Sequence, residues 1–274
     1  MYFRAFYGVR NSAPAPNGQQ VNAVRGLLER LARQLWQRRP RQLAVADDVA
    51  WRPDWRVELI AEYKSHRAAE PVPSGLIAQI PVIHDVLAAI GIDMFGVAEH
   101  EAEDVIATWA RLAPGRIEIL SGDRDLFALV EDPRVCVLYP EKRGLAVIDE
   151  AEVTRRYGVP GRRYADFAVL RGDPSDGLPG LKGVGNVAAA GMIRRYGDLD
   201  GVLRERPLGD ADRAYLERAK RVVAPVADLP IELPAGRRDA YPVDAEALAA
   251  LASEYGLEES CQTLVRAVSR LATA

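Results

Sequence analysis

Acidic side chains recur where apolar, strand-like or helical segments of this sequence end. Eight of them could do chemistry together: Asp48, Glu101, Glu103, Asp104, Asp123, Asp125, Asp173 and Asp176. Many carboxylates that converge without matching cations repel one another, and burial raises their pKa values. A pair of divalent cations removes that repulsion. Hard Mg²⁺ or Mn²⁺ ions prefer oxygen ligands, and a pair about 4 Å apart stabilises in-line displacement at a phosphodiester.

Each acidic group taken alone also has an ordinary structural explanation. Glu101, Glu103 and Asp104 fall in the first turn of a predicted helix, where acids complement the helix dipole. Asp123 and Asp125 follow the next predicted strand, at the carboxyl edge of the same predicted sheet, where α/β proteins bind ligands. Because two acidic groups meet at one edge, we expect the carboxylates to converge.

Strands that alternate with helices must position these residues. Apolar runs predict strands at 43–46, 92–97, 116–121 and 135–139. Apolar residues at helical spacing predict helices over 20–38 and 76–90, a helix that begins near Glu101, and a helical segment between the last two strands. This order predicts an α/β fold with a mostly parallel sheet flanked by helices.

The pattern changes near residue 149, after which strand-like runs cease. Helices are predicted over 151–157, 164–171, 187–196, 211–223 and 245–271. We therefore predict an α/β core over residues 1–148 and a helical subdomain over residues 149–274.

Composition indicates a folded protein with a sizeable core, because 49% of the 274 residues are hydrophobic. The sequence has no run of roughly 20 apolar residues that would cross a membrane, so we expect a cytoplasmic protein without a membrane partner. Cys136 and Cys261 lie far apart without ligand spacing, which argues against a disulfide framework and a zinc site.

The net charge of −3 is unusual for a protein that binds nucleic acid, but the charge is unevenly distributed. Up to Arg67 there are twelve Lys or Arg and six acids. With the eight carboxylates above set aside, 31 acids remain against 36 Lys and Arg. A basic surface for nucleic acid and a solvated helix face in an Arg-rich chain both fit these counts.

Three motifs resemble, in order, the signatures of the 5′-3′ exonuclease and flap endonuclease family. They are Glu101-Ala-Glu-Asp-Val105, Ser121-Gly-Asp-Arg-Asp-Leu126 and Gly172-Asp-Pro-Ser-Asp-Gly-Leu-Pro-Gly-Leu-Lys-Gly-Val-Gly185. The family includes the amino-terminal nuclease domain of bacterial DNA polymerase I and free-standing bacterial enzymes. The resemblance implies a PIN-like nuclease core, a helical subdomain with a helix-three-turn-helix, and hydrolysis of DNA by two metal ions in replication and repair.

The same resemblance assigns the carboxylates to two metal sites. It implies that Asp48, Glu101, Glu103, Asp104, Asp123 and Asp125 serve the tighter site, directly or through water. Asp173 and Asp176 would complete the second site. The family more often has Asp where this chain has Glu103, whose longer side chain should still reach a metal-bound water.

The segment Tyr63-Lys-Ser-His-Arg67 resembles the start of the family's helical arch, here about residues 64–85. By resemblance, Lys64 holds or polarises the scissile phosphate, Arg67 and Arg4 contact phosphates, and Tyr63 stacks on a terminal base. The chain has few lysines, yet a solvated surface charge remains the alternative for Lys64.

A hairpin at about residues 172–196 resembles the family's helix-three-turn-helix, which grips duplex DNA and often holds K⁺. The residues implied in duplex binding are Lys182, Gly183, Val184 and Gly185. Glycines let the backbone N–H groups approach a phosphate. Where the family commonly has polar residues this chain has Val187 and Ala188, so backbone contacts are expected to dominate.

Family members begin with a strand that ends in Asp, immediately before the helix that holds the residue matching Arg4. This sequence starts inside that helix, so we expect that the strand and its Asp were lost or lie upstream of the given start. An active structure-selective 5′ nuclease is the first hypothesis, and a catalytically impaired DNA-binding relative is the second. A ribonuclease is a third, which the Gly-Val-Gly hairpin disfavours. Any polymerase partner would be a separate chain.

Overall fold

The computed structural model describes residues 1–9, 14–66, 72–142 and 144–271. Its five strands are β1 (Ala44–Ala46), β2 (Asp93–Phe95), β3 (Ile117–Leu120), β4 (Val135–Glu141) and β5 (Gly144–Ile148). The first helices are α1 (Tyr2–Gly8), α2 (Asn22–Arg38), α3 (Asp54–Leu59), α4 (Ser74–Ile77), α5 (Ile80–Ile90) and α6 (Ala102–Leu112). The later helices are α7 (Glu150–Tyr157), α8 (Tyr164–Arg171), α9 (Asn186–Tyr196), α10 (Leu199–Glu205), α11 (Asp210–Val223), α12 (Ala245–Tyr255) and α13 (Glu258–Val268).

The chain folds into two compact units, each built from segments that are distant in sequence. The first unit comprises Met1–Ala46, Pro71–Phe95 and Pro234–Ala274, and the second comprises Asp47–Glu70 and Gly96–Leu233. The consecutive division at residue 148 stays a prediction. All eight carboxylates singled out above lie in the second unit.

In the first unit, α2 buries one apolar face and packs against α1 and α13. Gly26 permits the close approach of α1, since a Cβ there would lie 3.2 Å from the carbonyl oxygen of Ala5. Strands β1 and β2 pair in parallel, with Ala44 opposite Asp93. The predicted helix over 20–38 is confirmed, and the one predicted over 76–90 corresponds to α4 and α5.

In the second unit, β3 pairs with β4 in parallel and β4 pairs with β5 in an antiparallel hairpin. The sequence did not indicate β5. The predicted α/β fold with mostly parallel strands flanked by helices is confirmed, and the described strands form two sheets, because β1 and β2 pair apart from β3, β4 and β5. Apolar runs predict where strands lie, but they do not specify which strands pair.

The helical part of the second unit packs α8 against α9 and α11. Phe127, Tyr164 and Phe167 are fully buried, and the ring of Tyr164 meets Phe127 edge-on and Phe167 at a tilt. Helix α10 was not predicted, and the predicted segment between β3 and β4 is a short 3₁₀ helix, Asp125–Leu129.

The helix predicted over 245–271 is divided into α12 and α13 at Gly256, whose φ is +62°. No helix in the described ranges is both long enough and apolar enough to cross a membrane.

Candidate metal centre and nucleic-acid surface

Three carboxylates converge in the second unit. One oxygen each from Glu103, Asp123 and Asp125 lies within 4.8 Å of the others. Glu103 is in the first turn of α6, whereas Asp123 and Asp125 follow β3. The backbone N–H of Asp125 donates to Oδ1 of Asp123 at 3.0 Å, which fixes the turn between them. We call these three residues the carboxylate cluster.

Two carboxyl groups of the carboxylate cluster, those of Glu103 and Asp125, have raised pKa values. Burial raises the pKa of Asp125 well above its usual range, and Asp123, Asp176 and Glu103 raise it further. Burial likewise raises the pKa of Glu103 well above its usual range, with Glu101 and Asp123 adding to the shift and Lys64 opposing it. A divalent cation among these oxygens would favour the charged forms, so the all-oxygen donor set fits a hard cation.

Asp176 adjoins the cluster. Its side chain hydrogen-bonds to that of Asp125, and burial raises its pKa, as do Asp123 and Asp173. Nζ of Lys64 lies 4.0 Å from Oδ1 of Asp176, and the backbone N–H of Lys64 donates to the Asp176 carbonyl at 2.9 Å. The structure therefore brings Asp176 together with the cluster.

Asp48 is held at the start of α6. Its Oδ1 accepts the backbone N–H of Ala102 at 2.8 Å. Burial raises the pKa of Asp48, and the negative charge of Glu101 raises it further. Asp48 is thus close enough to Glu101 for their charges to interact.

Cations surround Glu101. Arg56 and Lys64 both form ion pairs with it, and the hydroxyl of Tyr63 donates to its Oε2 at 2.6 Å. Burial acts to raise the pKa of Glu101, but Lys64 and Arg56 outweigh it, and the pKa is lowered. Burial, Glu103 and Glu101 raise the pKa of the Tyr63 hydroxyl, which therefore stays protonated and donates.

Both oxygens of Asp104 are engaged by protein groups. Oδ1 accepts from Arg56 at 2.7 Å and from the backbone N–H of Val226 at 2.8 Å. Oδ2 accepts the N–H of Glu101 at 3.2 Å and lies 3.1 Å from Nδ1 of His100. This arrangement is a capping box at the start of α6, and it favours a structural role.

Asp173 is engaged in the same way. Oδ1 accepts the N–H of Ser175 at 3.0 Å, and Oδ2 lies 3.0 Å from Arg171 and 3.3 Å from Arg124. The ligand roles of Asp104 and Asp173 stay predictions, and neither residue belongs to the carboxylate cluster.

Lys64, Tyr63 and Arg4 are predicted to contact DNA, and they differ in how exposed they are. Lys64 and Tyr63 are each only 1% exposed, so the surface-charge alternative for Lys64 is wrong, and the stacking role of Tyr63 stays a prediction. Arg67 lies outside the described residues. Arg4 is exposed on α1 in the first unit.

The hairpin exposes backbone between α8 and α9. Lys182, Gly183 and Gly185 are exposed, and a Cβ added at either glycine would meet no atom within 4 Å. Gly183 has a φ of +76°, whereas Gly185 caps α9 at a φ of −93°. Val184 packs into the core instead, being 9% exposed. The exposed parts of the hairpin are thus Lys182 and the backbone of the two glycines.

Residues 1–158 match the family model of the 5′-3′ exonuclease N-terminal resolvase-like domain. Residues 159–235 match that of the 5′-3′ exonuclease C-terminal SAM fold. The chain belongs to the 5′-3′ exonuclease family. The predicted family, the helical C-terminal region and the 5′ nuclease class are thereby confirmed.

Relatives of this 5′-3′ exonuclease family member include a 5′-3′ exonuclease of Streptomyces coelicolor, 45% identical over 97% of this chain and 96% of that protein. DNA polymerase I of Mycobacterium bovis is 39% identical over 84% of this chain but only 26% of the polymerase. The fold resembles a bacteriophage T5 flap endonuclease solved with DNA and metal ions, with a TM-score of 0.65, 15% identity and coverage of 96% of this chain and 95% of that one.

Arg56 is a residue of this site that we did not predict from the sequence. It is fully buried and forms ion pairs with Glu101, Glu103 and Asp104. The sequence places it in Trp51-Arg-Pro-Asp-Trp-Arg56, where nothing distinguishes it from the many exposed arginines of the chain. Its role depends on contacts with residues 45 or more positions away.

Proposed function

We propose that the protein is a divalent-metal-dependent nuclease that hydrolyses phosphodiester bonds of DNA at 5′ ends or flaps beside duplex. The observation that carries this proposal is the convergence of Glu103, Asp123 and Asp125, with oxygens within 4.8 Å of one another. The membership of the 5′-3′ exonuclease family gives that cluster its substrate class.

The carboxylate cluster is the proposed core of the tighter metal site, for Mg²⁺ or Mn²⁺. Asp48 and Glu101 would act on metal-bound water. Asp176, with Asp173, would serve a second ion. When bound, such a pair activates water and stabilises the leaving oxygen. The donor set supports this assignment, because burial and neighbouring acids disfavour the charged forms of Glu103 and Asp125 in the absence of a divalent cation.

The chain's own cations supply positive charge beside that site. Lys64 pairs with Glu101 and approaches Asp176, and we propose that its ammonium faces the phosphate that is cleaved. A cation fixed in advance stabilises developing negative charge without reorganising during the reaction. Tyr63 holds Glu101 in place by its hydroxyl.

Duplex DNA is the proposed partner of the hairpin. The exposed backbone of Gly183 and Gly185, at the start of α9, would offer N–H groups to a phosphate, and Lys182 adds a positive charge. We further propose that K⁺ binds at the hairpin and that Arg4 and Arg67 contact phosphates. A separate DNA polymerase would be a partner, and the protein would act at the nucleoid in the cytoplasm. The similarity to part of DNA polymerase I supports the polymerase partner.

The test is cleavage of a 5′-labelled flap duplex in Mn²⁺, in Mg²⁺ and in EDTA. The expected result is release of short 5′ products only with metal, and loss of product for Asp125→Asn. The matched control is Asp228→Asn, an exposed acid of the same unit. Metal-independent cleavage, or unchanged turnover of Asp125→Asn, would refute the proposal. Tight DNA binding without cleavage in either metal would support the impaired DNA-binding relative instead.

A further inference from the structure

Arg56 occupies an unusual place for an arginine. It lies on α3 and is 0% exposed. Its guanidinium carbon lies 4.8 Å from the ring centre of Trp55 and 5.9 Å from that of Tyr63. The Trp55 ring is itself fixed, because its indole N–H donates to the Glu99 carbonyl at 2.9 Å. The planar guanidinium is therefore held by rings as well as by charge.

The two ends of the Arg56 guanidinium contact different kinds of carboxylate. Nη2 donates at 2.7 Å to Asp104, which the capping box fixes to the start of α6. Nη1 pairs with Glu101 and lies 3.3 Å from Oε1 of Glu103. Arg56 thus links the anchored end of α6 to a member of the carboxylate cluster.

Glu103 needs such a restraint. Its neighbours in the cluster, Asp123 and Asp125, repel its charge, and its side chain has one more rotatable bond than an aspartate. Within the described parts of the chain, Arg56 is the cation within ion-pair distance of Glu103, and the charge of Lys64 attracts the same carboxylate from farther away. By contrast, Asp123 and Asp125 are tied together through the backbone N–H of Asp125.

We propose that Arg56 is a positioning residue that holds the carboxylate of Glu103 toward Asp123 and Asp125 and so sets the metal affinity of the cluster. The proposal rests on the proposed function only in taking the cluster as the metal site. Partners that orient a metal ligand typically change metal affinity by about 10–100-fold when they are removed.

A double-mutant cycle on Mn²⁺ binding tests this role. Free Mn²⁺ is titrated by electron paramagnetic resonance into the wild type, Arg56→Met, Glu103→Gln and the double variant. We expect each single variant to bind Mn²⁺ at least tenfold more weakly, and the double variant to bind no more weakly than the weaker single one. Arg155→Met, which removes a surface ion pair with Glu152, is the control and should bind as the wild type does.

Two further variants separate positioning from folding. Arg56→Lys keeps the charge, and one ammonium cannot reproduce both ends of the guanidinium, so we expect intermediate Mn²⁺ affinity. In Arg56→Met/Asp104→Asn one buried carboxylate is neutralised together with the cation, which limits unpaired charge in the fold.

Wild-type Mn²⁺ affinity in either of these variants, with a native circular dichroism spectrum, would overturn the proposal. So would fully additive losses in the cycle. If Mn²⁺ binding is coupled as expected but no DNA is cleaved, the proposed function fails while the role of Arg56 stands.

Discussion

Replacing Asp125 by Asn should stabilise the metal-free protein while abolishing cleavage. Burial and the charges of Asp123, Asp176 and Glu103 raise the pKa of Asp125 well above its usual range. An amide resembles the protonated carboxyl in size and charge. It can also donate to Asp176, the residue with which Asp125 shares a hydrogen bond. Asp125→Asn therefore removes repulsion at little cost in packing.

The sign of the pH dependence follows from the raised pKa of Asp125. A carboxyl group whose pKa is higher in the folded state contributes its full stability below the unfolded value, near 4. That contribution is lost as the pH rises through the raised pKa. The metal-free wild type should therefore lose stability as the pH rises above about 4, and Asp125→Asn should lose less.

The magnitude can be read as a shift in melting temperature. Each unit by which the folded pKa exceeds the unfolded one corresponds to about 1.4 kcal/mol, or about 3–6 °C in Tm for proteins of about 150–250 residues. Metal should reverse the order of stability. Mn²⁺ at a hundred times its dissociation constant stabilises the wild type by about 2.7 kcal/mol, and the variant should gain far less.

The assay is thermal unfolding followed by circular dichroism from pH 5 to pH 8.5, in EDTA and in Mn²⁺, with Asp228→Asn as the control. A lower Tm for Asp125→Asn than for the wild type in EDTA at pH 8 would contradict the reasoning, because it would show that the charged carboxylate stabilises the metal-free fold. An equal gain from Mn²⁺ in both proteins would remove Asp125 from the metal site.

Three further predictions concern the other parts of the site. Lys64→Ala should lower the single-turnover cleavage rate more than tenfold with little change in Mn²⁺ affinity, while Lys220→Ala, which removes a surface ion pair with Asp200, should not. If only DNA binding weakened, Lys64 would be a steering residue. Gly185→Val should fold normally, because its φ is −93° and an added Cβ meets no atom. It should nevertheless weaken duplex binding and flatten its salt dependence in filter binding, and unchanged values would make the hairpin a packing turn. Asp173→Asn should leave the tight Mn²⁺ site within a few-fold of the wild type, since arginines engage its carboxylate; a loss as large as that of Asp125→Asn would make it a ligand of that site.

Much of the fold could be predicted because helices leave a strong periodic signal. Helix α8 has the predicted bounds, and α2, α7, α9 and α11 begin within two residues of theirs. Strand pairing could not be predicted, because an apolar run does not show which other strand it pairs with. Strands β1 and β2 are also only three residues long, so their sequences carry little pattern. The break at Gly256 also went unpredicted, although glycine in a left-handed conformation commonly ends a helix.

The carboxylates of the site could be predicted because they lie where secondary-structure elements begin or end, in motifs typical of the family. Which of them converge depends on side-chain direction, which spacing alone does not give. The sequence therefore grouped Asp104 with Glu103, although Asp104 is bound within the capping box and Glu103 lies in the carboxylate cluster. Arg56 left no signal, because its partners come from another segment of the chain.

The start of α6 divides its acids between two environments. Glu101 and Glu103 are two positions apart, yet cations lower the pKa of the first, while burial and neighbouring acids raise that of the second. Lys64 and Arg56 attract both carboxylates, but they outweigh burial at Glu101 and not at Glu103, so a metal ion would relieve more unfavourable charge at Glu103. The direct ligand at this end of the site should therefore be Glu103, whereas Glu101 should act on metal-bound water and hold the cations Arg56 and Lys64.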